Sequence, residues 1–112
     1  MPSNRHQECI DTCTSCAQEC ETCAQGCISS AKQEMVDCVK LCLDCTEYCW
    51  TCAAYCSRES RFAERIAGVC AEICDRCADE CERFKDDEMM RRCAEQCRKC
   101  AQQCRTMAGA AA

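Results

Sequence analysis

The sequence predicts an all-α protein: an antiparallel up-down-up-down four-helix bundle with a cysteine-lined core. Three observations predict it. Cysteine accounts for 20 of 112 residues, the cysteines recur at helical spacing, and ordinary core residues are scarce. A cysteine content above ~8–10% marks a chain organised by its sulfurs. Leu, Ile, Val and Phe together number only 11, so either the chain has no core or the cysteines are the core.

Spacing decides between the two. Within each of four groups the steps between cysteines alternate strictly between four and three, a seven-residue repeat with two apolar positions. That repeat is the seam of a helix packed in a bundle. Ala follows Cys in seven places, as in Cys16-Ala17 and Cys77-Ala78. Alanine is the best helix former, and its small side chain lets neighbouring helices approach closely. The intervening positions are rich in Glu, Gln, Arg and Lys, as a solvated helix face requires.

The first helix is expected over roughly residues 5–28, with Cys9, Cys13, Cys16, Cys20, Cys23 and Cys27 on its seam. Ser29 and Ser30 break the rhythm, and Ser30 with Gln33 has the spacing of a capping box. The second helix, roughly 31–57, carries Cys38, Cys42, Cys45, Cys49, Cys52 and Cys56. Ser57-Arg58-Glu59-Ser60 ends it, and Ser60 is the expected N-cap of the third helix, roughly 60–84. There the seam is Cys70, Cys74, Cys77 and Cys81. Lys85-Asp86-Asp87-Glu88 divides the last two helices and sets acids where the helix dipole favours them. The fourth helix, roughly 88–107, carries Cys93, Cys97, Cys100 and Cys104, and Ala108 to Ala112 are expected to fray. Residues 1–112 thus read as a single four-helix-bundle domain. Connections this short make successive helices antiparallel neighbours.

Extending the seam shows what plugs its ends. Cys27, Met35, Cys38, Cys81, Phe84 and Met90 are expected at one end, and His6, Cys56, Ala63 and Met107 at the other. Met35, Met89, Met90 and Met107 read as core plugs, with soft-metal entry ligands as the alternative. His6 reads as an exposed N-terminal residue rather than a ligand. Val36, Leu43 and Trp50 recur every seven residues on the outer side of the second helix, while Leu41, Tyr48 and Tyr55 flank its seam. A helix apolar nearly all round is buried all round, so this outer face is expected to pack a second subunit.

Charge and composition exclude several classes of function. A net charge of −5 argues against nucleic acid as a partner, since phosphate binding needs a basic face. No apolar run approaches the ~18–20 residues of a membrane span, so no membrane partner is expected. The polar amino terminus shows no signal peptide, and the expected location is the cytoplasm. Cytosolic thiols are kept reduced, which disfavours a disulfide scaffold. Thiol catalysis would need an exposed, activated cysteine and a base, so the chain is not read as an enzyme.

Metal binding suits twenty inward thiols better. A linear S–metal–S unit spans ~4.6 Å with bonds of ~2.3 Å, close to the reach of a C-x-x-x-C pair on one helix. Soft thiolates select Cu(I), zinc or iron–sulfur clusters. Zinc sites usually add knuckle turns and His, and iron–sulfur runs typically end in Cys-Pro; here there is one His, and the only proline is Pro2. Cu(I) is satisfied by two or three thiolates, each of which can bridge two metals. Twenty unpaired buried thiolates would cost far more than folding supplies. One monovalent cation per thiolate neutralises the core, giving a capacity of about twenty Cu(I) per chain. General soft-metal sequestration (zinc, cadmium, silver) and a ferredoxin-like iron–sulfur electron carrier are the alternatives.

The runs Cys13-Thr14-Ser15-Cys16-Ala17-Gln18-Glu19-Cys20, Cys42-Leu43-Asp44-Cys45-Thr46-Glu47-Tyr48-Cys49, Cys70 to Cys81 and Cys93 to Cys104 repeat one motif in register on four helices. In this the whole chain resembles the cysteine-rich four-helix-bundle copper storage proteins of bacteria, in their cytosolic branch. The resemblance implies Cu(I) storage by core thiolates, copper homeostasis as the role and a homotetramer as the assembly. Members often place His near the start of the fourth helix at the core entrance, where this chain has Met89 and Met90.

Overall fold

The computed structural model describes residues 3–109, and within them four helices follow one another: α1 Asn4–Ser30, α2 Val36–Ser57, α3 Ala63–Cys81 and α4 Glu88–Gly109. Each helix packs on the next, and α4 returns to α1, closing a ring. Sulfur pairs give the direction. Cys9 meets Cys52 and Cys16 meets Cys45, so α1 and α2 run antiparallel. The pairs Cys38 with Cys81 and Cys49 with Cys70 do the same for α2 and α3. Cys13 with Cys104 and Cys20 with Cys93 align α4 against α1. The result is the expected up-down-up-down bundle, 42 × 20 × 18 Å.

The seven alanines that follow cysteines are all buried. The contacts of α1 with α2 and of α3 with α4 are the two most extensive in the bundle. Thr46 takes the same place after Cys45, and its buried hydroxyl donates to Ala17 O at 3.2 Å. The Cys-Ala pattern was the signal for that position, since Cys45, like Cys16 and Cys52, is followed by its next seam cysteine four residues on. On the α3–α4 edge Arg98 reaches Asp75 (3.0 Å), Asp79 (2.7 Å) and Glu82 (2.8 Å).

The connections differ from expectation. The Ser30–Gln33 capping box does not form: Ser30 Oγ turns back and donates to Cys27 O at 2.7 Å. α1 runs two residues further than expected and leaves through Ala31, in the left-handed region at φ 55°. Lys32 is extended and Gln33–Met35 make one 3-10 turn, so α2 starts at Val36 instead of residue 31. Ser60 does not cap α3 directly. Its Oγ accepts from Phe62 N at 3.1 Å and its carbonyl from Ala63 N, which delays the helix to Ala63. α3 stops at Cys81, and turns carry the chain through Phe84 to Asp87, whose Oδ1 accepts from Met90 N at 3.2 Å at the start of α4. Ala108, expected to fray, is helical; residues 110–112 lie outside the described residues.

Candidate metal centre

A seven-residue repeat turns every seam position toward one axis. Nineteen of the twenty cysteines have no solvent exposure, and Cys27 has 2%. All twenty are free thiols. Their sulfurs form a continuous column in which neighbours lie 3.6–4.0 Å apart. A disulfide bond is ~2.05 Å long, so the column is in van der Waals contact and unbridged.

The C-x-x-x-C pairs sit closer than the linear span expected from sequence. Cys9 to Cys13, Cys45 to Cys49 and Cys100 to Cys104 are each 3.9 Å. With bonds of ~2.3 Å, tetrahedral thiolates stand ~3.8 Å apart and trigonal ones ~4.0 Å, so the column as folded suits three or four sulfurs per ion. Linear coordination at ~4.6 Å requires small side-chain rotations.

The thiols gather across helices into overlapping quartets. Five of them are Cys9/Cys13/Cys52/Cys104, Cys13/Cys70/Cys100/Cys104, Cys16/Cys49/Cys74/Cys100, Cys16/Cys20/Cys45/Cys97 and Cys20/Cys77/Cys93/Cys97. Each shares a thiol with the next: Cys13 and Cys104, then Cys100, then Cys16, then Cys20 and Cys97. A shared thiolate can bridge two ions, so the quartets form a ladder instead of isolated sites. Thiol hydrogen bonds and burial hold the proton on many of them. Cys42 and Cys97 are both pushed well above the usual thiol range, the first chiefly by Cys20 and the second chiefly by Cys16. Cys27, the thiol nearest solvent, is pushed from 9.0 up to about 11 by burial, with Cys38 and Asp87 adding to it.

The plugs divide by position. Met90 is fully buried, and Met35 lies beside it at the same end, its Sδ 3.4 Å from Ser30 Oγ. Met107 is fully buried in α4. Met89 is not a plug. It lies half-buried over Gly26, where a Cβ would strike its Sδ. His6 is not the exposed residue expected: its side chain is 13% exposed, with Nδ1 2.7 Å from Ser3 Oγ and 3.5 Å from Glu59 Oε1. Ser3 N donates to the same Glu59 oxygen at 3.0 Å, so the start of α1 is latched onto the α2–α3 connection. Nothing in the local sequence signalled this latch, which joins residues 56 apart.

A sequence profile described as copper storage protein matches residues 2–109. The structure is similar to the Cu(I)-bound copper storage protein BsCsp3 of Bacillus subtilis, with TM-score 0.89 and 31% identity over 94% of this chain and 99% of that one. It is similar to a cytosolic copper storage protein from Streptomyces lividans, described as loaded with five coppers, with TM-score 0.87 and 33% identity over 94% and 92%. A protein of Nitrosospira multiformis is 38% identical over 95% and 96%, with TM-score 0.85. No curated protein sequence matches the chain. With nearly its whole length matched and the same bundle in these relatives, the chain belongs to the copper storage protein family.

Proposed function

We propose that residues 1–112 act as one storage unit that holds many Cu(I) ions on its core thiolates, with no catalytic step. The observation that carries this reading is the ladder of overlapping buried quartets, which offers bridging sulfur along the axis instead of one exposed site. A carrier needs one accessible position; a store needs capacity. Cys9 through Cys104, all twenty, are the ligands. Each Cu(I) displaces thiol protons to solvent, so loading releases acid. One monovalent ion per thiolate leaves the core neutral, which supports a capacity of about twenty per chain.

The store resides in the cytoplasm. Among the described residues no helix is long and apolar enough to cross a membrane, and the Streptomyces lividans relative is described as cytosolic. It assembles as a homotetramer through the outer face of α2, where Val36, Leu43 and Trp50 are exposed and in line.

Anaerobic competition between Cu(I) and zinc tests the reading. Cu(I) is expected to displace bound zinc and to approach one ion per thiol without visible colour. Retention of zinc against stoichiometric Cu(I) would point to general soft-metal sequestration. A brown protein from iron-replete cells would point to iron–sulfur chemistry.

A further inference from the structure

One seam position of α1 holds nitrogen instead of sulfur. His6 precedes Cys9 by three residues and Cys13 by seven, so it continues the 4-3 rhythm one step beyond the first thiol. Its side chain is only 13% exposed. It is the only histidine in the chain, and it lies at the start of α1, at the end of the bundle opposite Met35 and Met90.

The ring is held by one edge. Nδ1 lies 2.7 Å from Ser3 Oγ and 3.5 Å from Glu59 Oε1. A proton on Nδ1 serves both oxygens and leaves the lone pair on Nε2, which makes no hydrogen bond among the described residues. A carboxylate on one ring nitrogen is a common way to fix the tautomer and orientation of an imidazole that binds metal through the other. Glu59 is itself placed by the turn after α2, where its N–H donates to Cys56 O at 3.1 Å. His6 is thereby tied to the turn that follows Cys56.

Sulfur runs out at this end. Cys56 is fully buried, yet it lies outside the five quartets. Cys52 and Cys9 hold its thiol down to about 4, and the charge of His6 adds to this more weakly. An ion in mid-column can draw a third sulfur from above or below. An ion on Cys9 and Cys56 has thiols on one side only, and His6 is the next group along the seam of α1.

We propose that His6 Nε2, Cys9 and Cys56 form a mixed imidazole–thiolate site for the terminal Cu(I) of the column. The proposal rests on the storage reading and deepens it. Imidazole suits copper, and as a neutral donor it completes three-coordination without adding charge to a core already balanced ion for thiolate. Any proton still on Cys9 or Cys56 leaves to solvent, the neutral imidazole loses none, and copper stays Cu(I). Cys9 also belongs to the quartet with Cys13, Cys52 and Cys104, so its thiolate can bridge the terminal ion to the rest of the column.

Nitrogen NMR of the single imidazole tests it, with no assignment needed. Reduced protein with ¹⁵N-labelled histidine is titrated anaerobically to full loading with Cu(I), supplied as its acetonitrile complex. The two ring nitrogens are followed through their couplings to the ring protons. Before copper, Nδ1 is expected to carry the proton. By full loading the Nε2 resonance is expected to move to a metal-bound position while Nδ1 keeps its proton. In Cys56→Ser the Nε2 shift is expected to vanish while the remaining thiols still fill. Ring nitrogens that stay unmoved at full loading overturn the site and leave storage standing, and this readout needs no variant to fold. An undiminished Nε2 shift in Cys56→Ser would mean copper held at the surface and also overturns the site. An Nε2 shift followed by saturation at a few equivalents supports the site and overturns storage.

Discussion

Cys45 Sγ on α2 lies 3.6 Å from Cys74 Sγ on α3, and neither residue has any solvent exposure. Without metal, this contact is packing: a protonated thiol behaves as a small hydrophobe with a weak donor. Packing and ligation can therefore be separated at one position. Cys74→Ala leaves a small void, whereas Cys74→Ser places a hydroxyl among sulfurs, at a cost of about 1–3 kcal/mol where it lacks a good partner. In urea unfolding of the reduced, metal-free protein, Cys74→Ser is expected to be the less stable variant. Both are expected to lose the same share of Cu(I) capacity. Equal stability, or capacity unchanged in either, would contradict the dual role.

The connection from α1 to α2 carries strain that a single substitution relieves. Ala31 is held at φ 55°, where a Cβ costs roughly 1–2 kcal/mol. Glycine removes that cost but adds freedom to the unfolded chain, so Ala31→Gly is expected to stabilise by about 0.5–1 kcal/mol. A higher midpoint in thermal unfolding of the metal-free protein is the readout. An unchanged or lower midpoint would mean that the left-handed turn is absent in solution.

Stability of the empty bundle should depend on pH in the alkaline range. Cys27 releases its proton near 9.0 in an unfolded chain and at about 11 in the fold. Between those values the unfolded state gains by ionising first, so folding weakens as pH rises through that window. Cys42 and Cys97, raised further, act in the same direction, whereas Cys56 and Cys77, lowered by neighbouring thiols to about 4 and about 7, act in the opposite sense below pH 9. Relative to Cys27→Ala, the urea midpoint of the reduced, metal-free protein is expected to hold steady below pH 9 and to fall from pH 9 to 11. A midpoint that rises across this interval would show that the core carries thiolates already.

Trp50 is 42% exposed and Leu43 47%, one heptad apart on the outside of α2. Burial of such a stripe against a second copy drives association through apolar area, and a buried carboxylate would oppose it. Trp50→Glu is expected to reduce the particle mass measured by solution scattering to that of a smaller assembly or a single chain. An unchanged mass would exclude this face as the interface.

The spacing of the cysteines made the bundle and its core legible, because a strict 4-3 rhythm admits one helix face and every seam residue shares it. Met90 and Met107 were placed by the same rhythm. What spacing does not contain is the axial offset between helices. The partnership of Cys16 with Cys45 and Cys97, or the quartet that joins Cys13 to Cys70, follows from the geometry of the turns. Those turns were the least legible part. The αL exit at Ala31 uses a residue with no special preference for it, and Ser30 finds its partner one turn back at Cys27 O instead of forward at Gln33. The His6 latch was missed for a related reason: its partner Glu59 lies in a connection at φ 49°, and only tertiary packing brings the two together.

Anaerobic titration of the fully reduced protein with Cu(I), against a strong competing chelator, tests the central claim most directly. If all twenty sulfurs act together along the axis, tight binding continues to about twenty equivalents per chain. Saturation at a handful of equivalents, with most thiols still free to react after unfolding, would contradict it.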